Sequence, residues 1–306
     1  MKSKVLLYII VLSGCLYACQ KEDALTPSHT PDSFAPLPGA TDEESKLREE
    51  FYKNTGCFLL FNDTLRHEYK GVDGYGNPWY ETELVGLEYV LTGVGYYRYQ
   101  FDYLQTLEQK RQVADFLCRY FVPNAKGMLP YSIMATSGID EYYYTDGDYT
   151  YNASPLSFSN MRCLALNISK LWELTDEKQK KSYGQDICCD LILATWVNPD
   201  YWGWGSKYEG SPAEKFFKLG TYYYDQPKTD YYGDRLDPLE YGFLEDPYEE
   251  VFPSEDEDAR AYIKACASMT EEEFFAKYGA NDWQGYTRQK YNIMKPLIDA
   301  MGIKFN

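Results

Sequence analysis

The chain has 306 residues, a formal net charge of −17, and 32 tyrosines within an aromatic content of 17%. This length suits one large domain or two smaller ones, and the aromatic content is too high for a disordered chain. The charge argues against nucleic-acid binding and against electrostatic attachment to anionic lipid, because both need clustered Lys and Arg. The acids are interpreted as a solubilising surface, with a cation-attracting surface as the alternative.

The N-terminal segment has the parts of an export signal. Two lysines come before an apolar run, Val5 to Leu12, and small residues then lead to a cleavage point. The run is too short for the ~20 residues that span a bilayer, so it is not expected to be a transmembrane anchor. The sequence Leu16-Tyr17-Ala18-Cys19 resembles the lipobox of bacterial lipoproteins. That resemblance implies a signal peptide over residues 1–18 and diacylglycerol on the Cys19 sulfur; an ordinary signal peptide with a chance cysteine is the alternative.

The residues after Cys19 indicate where the protein is displayed. Lys21-Glu22-Asp23 resembles the tag by which some Gram-negative bacteria export lipoproteins to the outer face of the outer membrane. Residues 19–41 carry four prolines among Ser, Thr and Asp, which predicts a flexible, Pro-rich spacer. We therefore expect a lipid-anchored protein exposed on the outer-membrane surface.

The first half of the remaining chain predicts a mixture of helices and strands. Acids after Thr41 predict a helix that ends at Gly56, and residues 57–61 predict a buried strand. Apolar residues at spacings of three and four predict a helix over 105–121. The remaining predicted elements are strands over 128–134 and 141–151, with a hairpin around Asp146-Gly147.

The second half predicts mostly helix on either side of one irregular region. Apolar residues at helical spacing predict a helix over 157–172, and Thr175 opens another that reaches Trp196. Capping residues predict further helices over 254–267, 270–278 and 283–301. Residues 198–253 are rich in aromatic residues, Gly and Pro and lack periodicity, over a length that often marks function.

This irregular region holds the candidate binding residues. Tyr and Trp rings stack on apolar faces and form hydrogen bonds at their tips, which suits surfaces that bind peptides or sugars. The candidate ligand-binding residues are Trp202, Trp204, Tyr222, Tyr223, Tyr224, Tyr231 and Tyr232. The alternative is that these rings pack on their own domain, and an exposed, contiguous patch would favour binding.

Three other groups have both a chemical and a structural interpretation. Asp146-Gly147-Asp148, with Asp140 and Tyr142 to Tyr144 nearby, offers oxygens to calcium, but a hairpin turn fits the spacing better. The acids from Glu255 to Asp258 are interpreted as the start of a helix rather than as ligands. His67-Glu68 is interpreted as an ordinary surface pair rather than an acid/base pair.

Besides Cys15 in the signal segment and Cys19, the chain has six cysteines, and none of them has the CxxC spacing of a metal site. Most have apolar neighbours, so buried free thiols are expected. Export permits disulfides, and six cysteines can pair in many ways, so no pair is assigned. These cysteines are Cys57, Cys118, Cys163, Cys188, Cys189 and Cys266.

The order of elements resembles the zinc-binding metallopeptidase-like lipoproteins of gut-type Gram-negative bacteria. Three runs carry the resemblance besides the lipobox and spacer: Ser254 to Ala259, Thr270 to Phe274, and Arg288 to Ile303. The resemblance implies a single α+β, zincin-like domain over residues 42–306, with central helices, a small mixed sheet and a helical C-terminal part.

The chain departs from that family at the metal site. Active members bind zinc through His-Glu-x-x-His on a central helix, whereas this chain has only His29 and His67, and position 71 is Gly. The predicted helix over 158–171 offers Asn160, Arg162 and Asn167 instead of imidazoles. The resemblance therefore implies a zincin-like body without a metal and without catalytic residues.

We expect a non-catalytic accessory of a nutrient uptake system, which holds a peptide or glycan near an outer-membrane transporter. The placement beside a transporter follows from the resemblance and the lipoprotein signal. The first alternative is a hydrolase with an unrecognised metal-dependent or carboxylate-based site. The second is a purely structural partner of an outer-membrane complex.

Overall fold

The computed structural model describes residues 32–87, 97–198, 206–220, 222–280 and 282–305. Over these residues the chain has the predicted α+β architecture with a mixed sheet, and the compact unit begins at Ser33. The predicted signal peptide, Cys19 and most of the spacer lie outside the described residues.

The helices and strands alternate in the first two thirds of the chain, and helices dominate the last third. The described helices are α1 (Glu43–Thr55), α2 (Leu107–Phe116), α3 (Glu177–Trp196), α4 (Glu214–Lys218), α5 (Glu255–Ser268), α6 (Glu271–Tyr278) and α7 (Tyr286–Ala300). The described strands are β1 (Phe58–Leu60), β2 (Thr64–Val72), β3 (Pro78–Leu84), β4 (Tyr97–Tyr103), β5 (Ser132–Thr145), β6 (Asp148–Ala153), β7 (Ser157–Ser159) and β8 (Cys163–Asn167).

Local sequence signals explain where several elements begin and end. The Asp42 carboxylate accepts a hydrogen bond from the Ser45 backbone N–H at the start of α1, and Gly56 ends that helix at a φ of 74°. Asp146 and Gly147 adopt positive φ angles between β5 and β6, which confirms the predicted hairpin. The predicted helix over 105–121 is confirmed as α2 followed by a π-helical turn, Leu117–Phe121.

Strand β5 organises the six-stranded sheet. Its first half pairs in parallel with β1 and β8, and its second half pairs antiparallel with β4 and β6. Strand β7 pairs antiparallel with β8 at the edge, while β2 and β3 form a separate two-stranded sheet. The end of the strand predicted over 128–134 and the start of the strand predicted over 141–151 thus belong to the single long strand β5. The rest of the second predicted strand belongs to its hairpin partner, β6.

The predicted helix over 157–172 is wrong. This stretch forms β7, β8 and a 3₁₀ turn, Ser169–Glu173. Strand β8 is covered on both faces: Leu164 and Leu166 face the larger hydrophobic core, whereas Cys163 and Ala165 face a smaller one. A strand buried on both faces is apolar at nearly every position, so its apolar residues imitate helical spacing.

The larger core lies between the sheet and the helices, and α3 crosses its centre. Gly184 permits close contact there, because a Cβ at this position would lie 2.3 Å from the Tyr120 carbonyl oxygen in the π-helical turn. The smaller core includes Phe34, which is 1% exposed and whose ring centre lies 6.2 Å from that of Phe58. The packed chain therefore starts within the last part of the segment that the sequence assigns to the spacer.

All six cysteines in the described residues are free, and five of them are buried. Burial raises the pKa of Cys57, Cys189 and Cys266 to about 12, because the thiolate loses its hydration. Burial also raises the pKa of Cys118, but this thiol is only partly covered.

We expect iodoacetamide at pH 8 to modify Cys118 in the native protein before it modifies any of the other five thiols. Thiolate content and access both limit this reaction, and both are lowest for the buried residues. Peptide mass spectrometry after timed alkylation measures the order, and Cys118→Ser removes the early signal. Rapid labelling of Cys188 or Cys189 without denaturant would contradict the packing of α3.

Candidate functional site

The described part of the irregular region that follows the gap, residues 206–220 and 222–253, lies on α5 and is joined to it by polar contacts. The Tyr208 hydroxyl donates to Asp256 Oδ1 at 2.7 Å, and the Lys207 ammonium lies 2.8 Å from the same oxygen. The Tyr208 ring is fully buried and stacks on Phe217 of α4 at 4.0 Å between ring centres. Asp256 therefore helps to hold the first part of the region, in addition to its place in the first turn of α5.

A fully buried ion pair joins α5, α7 and the irregular region. Lys290 Nζ donates to Asp258 Oδ2 at 2.7 Å, and neither side chain is exposed. The Tyr224 hydroxyl donates to the same oxygen at 2.8 Å. The ammonium also lies 4.2 Å from the centre of the Phe243 ring, which supplies a cation–π contact.

Burial acts on the two members of this pair in opposite directions. The loss of hydration raises the pKa of Asp258 and lowers the pKa of Lys290, and the attraction between the two charges opposes each shift. A charge left alone at this position would have no water to stabilise it. Each member therefore needs the other, and the pair fixes the position of the segments that surround it.

A second buried lysine stabilises the part of the irregular region that contains Asp246 and Tyr248. The Lys228 side chain is 1% exposed, and its ammonium donates to the Asp246 carboxylate and to the Tyr248 backbone carbonyl. The Lys228 backbone N–H donates to Glu250 O at 2.9 Å, and its carbonyl accepts from the Leu236 N–H at 3.0 Å. One residue thus connects three neighbouring stretches of chain.

Lys228 supports a loop that presents two tyrosines to solvent, here called the tyrosine tip (Thr229–Arg235). Tyr231 is 96% exposed and Tyr232 is 86% exposed, and their rings meet edge to face at 5.4 Å. Asp230 Oδ1 accepts hydrogen bonds from the backbone N–H groups of Tyr232 and Asp234. The backbone of the tip is therefore held by its own turn, while the rings contact little of the domain.

The structure separates the candidate binding residues into two groups. Tyr222, Tyr231 and Tyr232 are exposed. Tyr223 packs on Tyr241 and Phe252, and Tyr224 is buried with its hydroxyl on Asp258. The expected ligand-contacting role is therefore corrected for Tyr224, which is a core residue because its ring and hydroxyl are both satisfied inside the domain. Trp202 and Trp204 lie outside the described residues.

Two carboxylates on α3 face two cations on α5. Lys264 Nζ lies 2.6 Å from Asp186 Oδ1, and Arg260 contacts Asp190 Oδ1. Asp186 and Asp190 are four residues apart, so they share one face of α3. Two ligating side chains at this spacing are how a metallopeptidase helix holds zinc; here each carboxylate is neutralised by a cation of the same chain. Neither acid was predicted from the sequence as a site residue, although both interrupt an apolar run.

The other chemical candidates take structural roles. His67 lies on the β2–β3 hairpin, where its Nδ1 shares a hydrogen bond with Thr82 Oγ1 and its ring stacks on Tyr80. Ser254 and Glu257 form a capping box at the start of α5. Asp148 accepts a hydrogen bond from the Tyr149 N–H at the β5–β6 hairpin. Within the described ranges, no cluster of three or more His, Cys, Asp or Glu side chains is arranged to hold a metal ion.

Comparison of the chain with protein-family models, with curated proteins and with solved structures finds no match in any of the three. In the part of the chain that the structure describes, no helix combines the length and apolarity needed to cross a membrane.

We expect Lys290→Met to lower the free energy of unfolding by about 3–5 kcal/mol, because it leaves the Asp258 carboxylate buried without its cation. Urea denaturation followed by circular dichroism measures the change. Adding Asp258→Asn should recover part of the loss, since the amide removes the buried charge and keeps an acceptor for Tyr224. A loss below about 1 kcal/mol for Lys290→Met would show that the pair does not anchor the region.

Proposed function

We propose that this protein is a surface-exposed outer-membrane lipoprotein, anchored through acylated Cys19, that serves as a non-catalytic, zincin-like binding component of a nutrient uptake system. Its ligand is a peptide or glycan held near a transporter, and the tyrosine tip, with Tyr222, makes the contact. The lipobox, the acidic tag and the Pro-rich spacer support the anchored location. The spacer gives the domain reach above the membrane.

The tyrosine tip is the observation that carries the binding role. A domain gains nothing in stability from two large rings that contact little of it, yet the chain holds their backbone with the Asp230 turn and the buried Lys228. Exposed Tyr rings on an ordered backbone lose little conformational entropy on binding, and Tyr is enriched among residues that dominate binding energy.

The contacts between α3 and α5 support the non-catalytic part of the proposal. Asp186 and Asp190 have the spacing of a helical metal-ligand pair, but Lys264 and Arg260 occupy the position that a cation would take. A metal ion would have to displace both side chains. The partial exposure of all four groups makes each pair a modest contributor to stability.

The double substitution Tyr231→Ala/Tyr232→Ala should abolish binding of the physiological ligand or partner and leave the free energy of unfolding within about 0.5 kcal/mol of wild type, as expected for exposed positions. Affinity electrophoresis against soluble polysaccharides and titration with casein-derived peptides measure binding. The matched control is Tyr75→Ala, since Tyr75 is 95% exposed but lies on the β2–β3 hairpin. If the tip variant binds every wild-type ligand unchanged, the tip is not the contact site.

Metal analysis of the purified protein tests the non-catalytic assignment. We expect zinc well below one ion per chain after incubation with zinc and dialysis, and no chelator-sensitive hydrolysis of peptides. Stoichiometric zinc that is lost in His67→Ala, or proteolysis that chelators abolish, would instead establish the metal-dependent hydrolase. Binding of protein alone, with neither peptide nor glycan, would support the purely structural partner.

A further inference from the structure

The hairpin of β2 and β3 carries an exposed apolar surface at its outer end. Among the described strands, these two pair only with each other, in a sheet separate from the larger one. The outer part of the hairpin is here called the hairpin end (Tyr69–Tyr80), and its large apolar and aromatic side chains are all exposed: Tyr69, Val72, Tyr75, Trp79 and Tyr80. Contiguous exposed apolar surface of this kind marks a contact with a protein or a membrane.

The backbone of the hairpin end is ordered although its side chains are exposed. Asp73 Oδ1 accepts hydrogen bonds from two backbone N–H groups of its own turn, at 2.8 and 2.9 Å. The Lys70 ammonium lies 2.6 Å from Glu68 and 3.3 Å from Glu81 on the neighbouring strand. An isolated two-stranded hairpin is at best marginally stable in water. These contacts therefore keep in place a surface whose exposed rings add little to the stability of the domain.

The hairpin end has no net charge, although it belongs to a strongly acidic chain. Its charged side chains are Lys70 and Asp73, whereas the whole chain carries −17. Acidic surface is repelled by the anionic groups of a membrane, and the hairpin end lacks that net repulsion. A basic protein partner would be attracted to the acidic surface instead. The charge distribution thus favours a membrane as the occupant of this surface.

The side-chain chemistry agrees with a membrane contact. Trp and Tyr favour the boundary between lipid and water, because their rings are apolar and their tips form hydrogen bonds. A sugar would stack on open ring faces, but here the His67 ring covers one face of Tyr80 at 4.7 Å between ring centres. The Tyr69 ring meets Tyr80 edge to face at 5.5 Å. These rings form a compact cluster rather than a flat platform for a sugar.

The chain enters the domain beside the inner end of this hairpin. Ser33 is the first residue of the compact unit, and its hydroxyl donates to Glu83 Oε1 at 3.1 Å. The outermost strand pair lies about 20 Å from Glu83, at ~3.3 Å per residue. A flexible chain of the length of residues 19–32 spans about 20 Å on average. A lipid on Cys19 would therefore keep the domain near enough for the hairpin end to reach the same membrane.

We propose that the hairpin end lies in the lipid headgroup region of the membrane that carries the anchor, with Val72, Tyr75 and Trp79 in contact with lipid. An acyl anchor alone leaves the domain free to rotate, whereas a second contact fixes its orientation above the membrane. The inference rests on the anchored location proposed above and is independent of the tyrosine tip.

Quenching of tryptophan fluorescence by brominated lipids tests this contact. The acylated mature chain is reconstituted into phosphatidylcholine vesicles, with and without bromine on the part of the acyl chains next to the headgroups. We expect quenching that Trp79→Phe abolishes, because the reporter ring is lost. Trp283→Phe is the matched control and should leave the quenching unchanged, since Trp283 is also exposed but lies between α6 and α7.

A second pair of variants tests the contact without changing the reporter. Val72→Ser/Tyr75→Ser should lose most of the Trp79 quenching, because it removes apolar contacts with lipid. Tyr231→Ala/Tyr232→Ala should keep it, so failure of the tyrosine tip and failure of the hairpin end are separable. Quenching that remains in Trp79→Phe would place another tryptophan at the membrane and overturn the proposal. A dimer of the unacylated chain that Trp79→Ser dissociates would assign the surface to a second copy instead.

Vesicle flotation separates this inference from the location on which it rests. If the chain floats with the vesicles through acylated Cys19 but Trp79 is not quenched, the anchor stands and the hairpin contact is overturned. If the chain carries no lipid, the anchored location fails. The hairpin end is then tested after the Cys19 sulfur has been coupled to a maleimide lipid in a Cys118→Ser background. Quenching of Trp79 in that form supports the contact, and its absence overturns it.

Discussion

The desolvated pair of Asp258 and Lys290 is the constraint on which the arrangement of the last third of the chain depends. Each charge is excluded from water, so each is stable in the folded state only with the other in place. Because the Tyr224 hydroxyl shares the same carboxylate oxygen, the pair also fixes a segment with little regular structure. Apolar packing alone would hold these segments together but would specify their positions less strictly.

The same helix, α5, connects this constraint to the first part of the irregular region and to α3. Its first turn holds Tyr208 through Asp256 and its own cap through Glu257, and its next turns face the carboxylates of α3. The cations of α5 neutralise Asp186 and Asp190 of α3, so this helix is joined by charge to α3 as well as to α7.

Sequence reasoning succeeds where the cause is local and fails where it is distant. The start of α1 at Asp42 and the hairpin at Asp146-Gly147 follow from residues within one turn, and both were predictable. Strand β8 was not, because its pairing with β5 joins positions about thirty residues apart. From the sequence alone, Asp258 resembled a helix-capping acid. Its partner, Lys290, is thirty-two residues away, and the residues next to Lys290 do not indicate that its side chain is buried.

Lys290 comes late in the chain, and this position affects the order of folding. This lysine belongs to α7, the final helix of the described chain, while the rings packed around its ammonium include Phe216, Tyr224 and Phe243, from segments of the irregular region. A ribosome delivers those segments first, and they have no charge partner until α7 has also emerged. Such late closure leaves the irregular region without its buried cation until the whole domain has been synthesised.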